Sequence, residues 1–317
     1  MMKRDTVKPE AAKATPGAKI KRMFTRPDGR LRTGWLLLGT LILYRAASLL
    51  VRLLLNGAFA RLFSAWNVNA GNVHRAPGWA QTVYAWHGSF VTVVVCLVTA
   101  FAALCLRKLW IGTAKIRASF REGFVPALVG AGIAVVSAII FVIADSMRME
   151  WPLSKPHISW GLFVMLPVTL LTTACEELFT KCVVFDGIAA RLKKSWAFML
   201  SAFVFFLFNG GYAGTVTSGV NVLLMGFVCC ALYDVRGLWA ASLFRGMWSY
   251  ASVFLAGFGT SGAAQSVYAL YGVSENWLTG GDGGMIYGLW MTVILAGMLA
   301  WLKRGIFEKL KKRIVRK

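Results

Sequence analysis

Long apolar runs recur along the whole 317-residue chain, and they constrain its fold more than any other feature. A run of about 20 apolar residues can cross the roughly 30 Å hydrocarbon core of a membrane as a helix. The runs are continuous rather than alternating, which argues against a membrane β-barrel. We therefore predict eight membrane-spanning helices, at residues 34–55, 82–106, 124–145, 158–175, 195–212, 219–235, 238–258 and 284–302.

The composition agrees with this fold class. Apolar residues make up 57% of the chain and charged residues 15%, whereas a soluble domain has close to half and a quarter. The predicted fold is all-α, a polytopic integral membrane bundle of about eight transmembrane helices. The six cysteines lie in or beside predicted spans, which favours packing thiols over a disulfide framework. Since no paired-cysteine metal spacing occurs, we expect no metal and no cofactor.

The basic residues predict how the bundle is oriented. Lys and Arg number 27 on one side of the predicted spans and four on the other. Such a bias marks the cytoplasmic side, so we expect a multi-pass protein of the cell membrane with both termini in the cytoplasm. The net charge of +22 then reflects topology and contact with anionic membrane lipids. The basic residues are spread over five segments, which argues against nucleic-acid binding.

A few charged residues fall within or next to the predicted spans. Each would cost several kcal/mol facing lipid, so we expect them to face the bundle interior and to pair. Two interpretations stay open, a structural ion network and an active site. For Arg45 we expect an acidic partner, either Asp186 or Glu176. The full set comprises Arg45, Glu176, Glu177, Lys181, Asp186 and Arg245, together with Arg52 near an outer edge.

Three segments carry a resemblance to a known family. "EELFTK", "SAFVFFLFNGGY" and "DVRGLWAASLFRGMWSYA" resemble the three motifs of the CPBP (CAAX-protease and bacteriocin-processing, or Abi) intramembrane peptidases. Those motifs are Glu-Glu-x-x-x-Arg, Phe-x-x-x-His and His-x-x-x-Asn or Asp. The resemblance covers about residues 158–258, and "ENWLTGGDGGMIYG" is similar to bacterial members. It implies a glutamate-dependent endopeptidase whose substrate is a membrane-bound peptide, such as a prenylated or leader peptide.

The resemblance also implies which positions form the catalytic site. In the family, a motif-one Glu and the motif-two His activate a water, and motif three stabilises the oxyanion. Several of these positions differ here, and the three histidines of the chain, His74, His87 and His157, lie outside the motif region. The catalytic positions are Glu176, Glu177, Asn209 (for His), Arg245 (for His) and Ser249 (for Asn or Asp), with Lys181 (for Arg) and Phe205 in support.

These replacements predict reduced or lost peptidase activity. Asn does not exchange a proton near neutral pH, and Arg stays protonated. A fixed cation close to Glu177 would also weaken it as a base. Whether the protein is an enzyme therefore stays open, since a divergent hydrolase could use Glu177 with Arg245 as the electrophile. The alternative is a non-catalytic membrane protein that binds a partner in the inherited cavity, in bacteriocin self-immunity or as a scaffold.

The predicted organisation follows from the spans and the motifs. Residues 1–33 form a basic disordered cytoplasmic tail, and residues 34–157 the N-terminal transmembrane helices. Residues 158–258 form the motif-bearing core. Residues 259–317 comprise an outer loop, the last transmembrane helix and a basic cytoplasmic tail. Loops 56–81 and 259–283 are expected on the outer side.

Overall fold

The structure is a computed structural model that describes residues 33–113, 116, 118–150, 160–210, 214–258, 269–272, 277–281 and 284–314. The predicted basic tail, apart from Thr33, lies outside these ranges. So do His157 and most of the predicted outer loop 259–283.

Within the described ranges the chain folds into helices joined by short connections. Two π-helical segments, Leu178–Phe185 and Ala251–Leu255, continue the helices that precede them. Two short strands, β1 (Met147–Glu150) and β2 (Ala269–Gly272), pair in antiparallel fashion. The α-helices are α1 (Thr33–Ala65), α2 (Gly78–Ile111), α3 (Phe124–Ile143), α4 (Trp160–Glu177), α5 (Asp186–Ala189), α6 (Lys194–Phe208), α7 (Val216–Arg236), α8 (Leu238–Tyr250) and α9 (Leu289–Ile314).

The predicted all-α membrane bundle is confirmed. Each of the eight predicted spans falls on a helical stretch. Large apolar side chains such as Phe101 and Ile143 are 70% and 79% exposed, as expected of a surface that faces lipid rather than water. Among the described residues, five helices are long and apolar enough to cross a membrane, namely Thr33–Ala65, Gly78–Ile111, Phe120–Ile143, Trp160–Ala189 and Val216–Arg236, and Lys194–Phe208 is a shorter apolar helix.

The chain divides into two compact units, residues 1–43 and 44–317. In the first unit the described residues are the opening turns of α1, where Thr40 Oγ1 donates to the carbonyl of Leu36. The second unit contains the rest of α1, all the other helices and both strands.

Glycines let α8 approach its two neighbours very closely. A methyl group added at Gly130 of α3 would lie 2.1 Å from the carbonyl oxygen of Phe244 in α8. One added at Gly246 of α8 would lie 2.7 Å from Thr173 Oγ1 in α4. Small residues allow such backbone contact between membrane helices. As a result α8 is held between α3 and α4, and its side chains reach the end of α4.

A group of polar side chains lies near the end of the bundle where α2 and α7 end. It consists of Arg107, Asp186 and Tyr233, and we call it the basal cluster. Arg107 Nη1 and the Tyr233 hydroxyl both donate to Asp186 Oδ2, each at 2.6 Å. Nearby, Gly187 leaves no room for a side chain, because an added Cβ would lie 2.0 Å from the Trp110 ring. The cluster joins α2, α5 and α7.

Candidate functional site

The Glu176–Glu177 pair ends α4, and its two members have different surroundings. The Glu177 side chain is fully buried, whereas the Glu176 side chain is 30% exposed. Successive residues of a helix point about 100° apart, so one carboxylate can face a cavity while the other faces packed protein. Glu176 lines a cavity and Glu177 does not.

The π-helical segment Leu178–Phe185 begins directly after the pair, and all eight of its residues are buried. Other helices supply donors to its carbonyl groups. Ser201 Oγ donates to the Thr180 carbonyl at 2.7 Å, and Arg107 donates to the Cys182 carbonyl. Segments of this kind occur often at functional sites. Here the segment places Lys181 on the same side of the helix as Glu177.

Arg245 of α8 joins the residues of all three motifs. Its Nη2 lies 2.6 Å from Glu176 Oε2, and its Nη1 lies 3.4 Å from Glu177 Oε1. The same Nη2 donates to Asn209 Oδ1 at 2.8 Å. The guanidinium carbon also lies 4.6 Å from the centre of the Phe205 ring. Four of the five predicted catalytic positions therefore contact one another through a single side chain.

Lys181 completes the charge balance of this group. Its side chain is fully buried, and its Nζ lies 3.3 Å from Glu177 Oε2 and 5.1 Å from the centre of the Phe205 ring. Two carboxylates are thus matched by two cations, which is how charges are tolerated in a dry interior. Glu177 has one cation at each oxygen. We call Glu176, Glu177, Lys181, Asn209 and Arg245 the charged cluster.

Asn209 is held by bonds at both ends of its amide. It follows the last residue of α6, and its Nδ2 donates to the carbonyl of Phe205 at 3.0 Å. Its Oδ1 accepts from Arg245. The amide oxygen is therefore fixed towards the guanidinium. Ser249, four residues beyond Arg245 on α8, lines the cavity beside the cluster.

A cavity of about 900 Å³ adjoins the charged cluster. On α4 its walls come from residues that precede Glu177, and on α8 from residues at and beyond Arg245. The rest comes from Ser252, Val253 and Phe258 beyond α8, from the end of α6, from the first half of α7 and from the turn 284–287. The cavity therefore runs from the cluster towards the end of the bundle where α4, α7 and α9 begin. The basal cluster lies at the opposite end.

Asn221 of α7 holds a turn that forms part of the cavity wall. It is fully buried, and its Nδ2 donates to the carbonyls of Ile286 and Gly288 at 2.7 and 2.9 Å. Its Oδ1 accepts from Thr292 Oγ1 at 2.6 Å. One amide therefore fastens the turn 284–288, which carries cavity-lining residues, to two helices. Sequence analysis missed this residue, although a lone amide in an apolar span was a usable signal.

The residues of the charged cluster lie in a segment that matches a known family. Residues 158–251 match the family model described as type II CAAX prenyl endopeptidase, Rce1-like. This segment, under a third of the chain, is similar to the CPBP family. The resemblance seen in the three motifs is thereby confirmed for residues 158–251, and the apolar helices make the chain a multi-pass membrane protein. The matched family acts on prenylated peptide substrates. No curated protein and no solved structure gave a significant match.

A further outcome concerns Arg45. Arg45 was expected to pair with an acid, and this was wrong for the described residues. Its guanidinium stacks 3.9 Å from the centre of the Phe208 ring and donates to the Leu207 carbonyl, because these groups lie at the end of α6 beside it. Among the described residues, no three His, Cys, Asp or Glu side chains are grouped to hold a metal ion.

Proposed function

We propose that this CPBP-family protein has lost peptidase activity and uses its cavity as a binding site within the membrane. The observation that carries the proposal is the position of Arg245. Its guanidinium contacts both glutamates and Asn209, which replaces the histidine that the family pairs with a glutamate. A site built to activate water needs a proton acceptor there.

The surroundings of Glu177 support the same conclusion. A general base must reach the water from which it takes a proton. The Glu177 side chain is fully buried and lies between Arg245 and Lys181. Arg245 Nη1 lies 3.4 Å from Oε1 and Lys181 Nζ lies 3.3 Å from Oε2, so each carboxylate oxygen is paired with a cation. Asn209 cannot take up the proton in its place, because an amide does not titrate near neutral pH.

The cavity, in contrast, retains the size of a ligand site. A volume of about 900 Å³ is within the range of pockets that enclose small organic ligands. Its walls combine apolar side chains such as Val222, Met225 and Ile286 with polar ones near the charged cluster. We infer that it holds a membrane-bound partner, of which a prenylated or leader peptide is the form suggested by the family. Such binding would serve self-immunity or a scaffold.

A second candidate function is a divergent hydrolase, and one observation favours it. Glu176 lines the cavity with its side chain 30% exposed, and Arg245 lies 2.6 Å from it. In this mechanism Glu176, rather than Glu177, would take a proton from water in the cavity, and Arg245 would stabilise the oxyanion. The absence of a titrating partner makes this the weaker proposal.

The basic residues supply the proposed orientation. We propose a cell-membrane protein with both termini in the cytoplasm, as the excess of Lys and Arg on one side requires. Basic residues at the ends of the helices near the basal cluster, including Lys108, Lys194 and Arg236, support a cytoplasmic position for that end. The open end of the cavity would then lie on the opposite side.

The test compares peptide cleavage by three forms of the purified full-length protein. Wild type should cleave neither prenylated peptides nor leader peptides that an intact CPBP peptidase cleaves. The triple variant Asn209→His, Arg245→His, Ser249→Asn restores the family residues and should gain activity. Adding Glu177→Ala to that variant should abolish the gain. Robust cleavage by wild type that disappears in Glu176→Ala would instead establish the divergent hydrolase.

A further inference from the structure

The cavity-facing side of α8 and of the π-helical segment Ala251–Leu255 that continues it carries more polar groups than the family motif requires. Beyond Arg245, the residues Trp248, Ser249 and Ser252 also line the cavity. They are spaced three, four and seven residues along the helix, so they share one face. This spacing was visible in the sequence, and it could have identified Trp248 and Ser252 as cavity residues.

Two of these side chains carry polar atoms that make no hydrogen bond to any residue that the structure describes. The Ser252 hydroxyl and the Trp248 indole nitrogen are both buried, and neither has a partner among the residues that the structure describes. Ser252 as a whole is only 6% exposed. The hydroxyls of Thr172 and Thr173 on α4 do have partners. They donate to carbonyls of their own helix, at 2.8 and 2.9 Å.

The chemistry of the two groups indicates what they would bind. An indole N–H can only donate, and a hydroxyl can donate as well. A carbonyl oxygen has two lone pairs and can accept from both. Trp248 and Ser252 are one helical turn apart, close enough to bond one small group. An anion is disfavoured, because the nearby Glu176 carboxylate would repel it and Arg245 is already matched by two carboxylates.

The cavity lies on one side of the charged cluster within the described bundle. On the other side of the cluster, the side chains of Cys182, Cys229, Cys230 and Lys181 are fully buried. A ligand therefore reaches Trp248 and Ser252 from the end opposite the basal cluster.

We propose that Trp248 and Ser252 form a carbonyl-binding subsite, and that a ligand with an amide or ester carbonyl enters it from the non-cytoplasmic face. The inference rests on the proposed role of the cavity as a binding site. It adds the side of entry and the group that is recognised.

Thiol labelling tests the side of entry without any ligand. The exposed Cys105 is replaced by serine, and single cysteines are introduced as Ser252→Cys, Ala70→Cys and Ser195→Cys. Residue 70 lies in the loop predicted outside, and residue 195 in the first turn of α6, predicted inside; both are exposed. A small membrane-impermeant methanethiosulfonate is applied to spheroplasts and to inverted vesicles. Ser242→Cys is the matched control, being a buried serine of α8 that does not line the cavity.

We expect residue 252 to react from the same face as residue 70, and residue 242 to react from neither. Labelling of residue 252 together with residue 195 would overturn the proposed side of entry. Failure of residue 252 to react from either face, with both exposed sites labelled, would show that the cavity is closed and would equally overturn it.

Photocrosslinking tests the recognised group. The probes are an acetylated leucine hexapeptide amide and a phosphatidylcholine, each carrying a diazirine, and each is titrated against the purified protein in neutral detergent. The variants Trp248→Phe and Ser252→Ala remove the donors while keeping most of the volume. We expect the double variant to weaken crosslinking of one probe about tenfold, as two neutral hydrogen bonds imply.

The probe that is affected identifies the source of the carbonyl, a peptide amide or a lipid ester. Equal crosslinking of wild type and double variant, or crosslinking by neither probe, would rule out the subsite. The proposed loss of activity and the proposed subsite can be disproved independently. Should the wild type prove to be an active peptidase, the proposed loss of activity would be wrong, while the labelling and crosslinking results would still decide the subsite.

Discussion

Arg245 and Glu177 form an ion pair inside the bundle, with Nη1 3.4 Å from Oε1 and the carboxylate fully buried. The pair replaces what would be, in the family, a histidine near a glutamate. A buried ion pair of this kind adds little net stability, but it is costly to break, since removal of one partner strands a charge in a dry interior. Where the third family motif has a histidine, this chain therefore has a fixed cation.

The first prediction concerns this ion pair. Glu177→Gln should destabilise the detergent-solubilised protein by about 3–5 kcal/mol, because Arg245 and Lys181 lose a shared counter-charge. Arg245→Gln combined with it should restore part of the loss. Denaturant unfolding of the four members of the cycle measures the coupling.

A surface ion pair provides the control. Lys194 Nζ lies 2.6 Å from Asp234 Oδ1, but the Lys194 side chain is 59% exposed. Lys194→Gln should cost less than about 1 kcal/mol. Additive losses for Glu177 and Arg245 would contradict a direct interaction between them.

The second prediction concerns the contact between α3 and α8. Gly130→Ala should destabilise the protein, because the added methyl would lie 2.1 Å from the Phe244 carbonyl oxygen and force two backbones apart. Overpacking of this kind costs about 1–3 kcal/mol. Gly132→Ala, on the same helix with no atom within 4 Å, should be neutral or stabilising. Thermal unfolding of both variants in one detergent compares them, and equal melting temperatures would count against the close approach.

The third prediction concerns the basal cluster. Tyr233→Phe removes a hydrogen bond to a carboxylate and should cost about 1.5–3 kcal/mol. Asp186→Asn should cost at least as much, because Arg107 and Tyr233 both donate to the same oxygen. The double variant should lose less than the sum of the two, as expected for residues that share a partner. Unfolding free energies of all three variants test this, and simple additivity would argue that the two bonds form independently.

The fourth prediction concerns the turn 284–288. Asn221→Leu removes the donor to the Ile286 and Gly288 carbonyls. We expect faster hydrogen exchange of backbone amides in this turn, measured by mass spectrometry on the intact protein, because its attachment to α7 is lost. Thr292→Val, which removes only the bond to Asn221 Oδ1, should have a smaller effect. Unchanged exchange in the Asn221 variant would mean that packing alone holds the turn.

The helices could be predicted from the sequence because the signal for a membrane span is local. A continuous apolar stretch long enough to cross the hydrocarbon core specifies its own length and place. The motif positions were likewise local, so Glu176, Asn209 and Arg245 could be named in advance. Their convergence could not, since it depends on how α4, α6 and α8 pack.

Contacts between distant helices account for what was missed. Asn221 fastens a turn 65 residues further along the chain, and no sequence pattern indicates that pairing. Arg45 was expected to prefer an acid, yet its position beside the end of α6 gives it an aromatic face and a carbonyl instead. The π-helical segment after Glu177 was also not predicted, because its carbonyls depend on donors from Ser201 and Arg107.

That π-helical segment sets the angle between two groups of charges that never touch. An α-helix turns by about 100° per residue, so loss of a single residue between 178 and 185 would rotate everything that follows by about that angle. Asp186 would then point away from Arg107 and Tyr233, while Glu177 kept its place. One residue's length in the middle of a helix therefore governs whether the charged cluster and the basal cluster can exist in the same molecule.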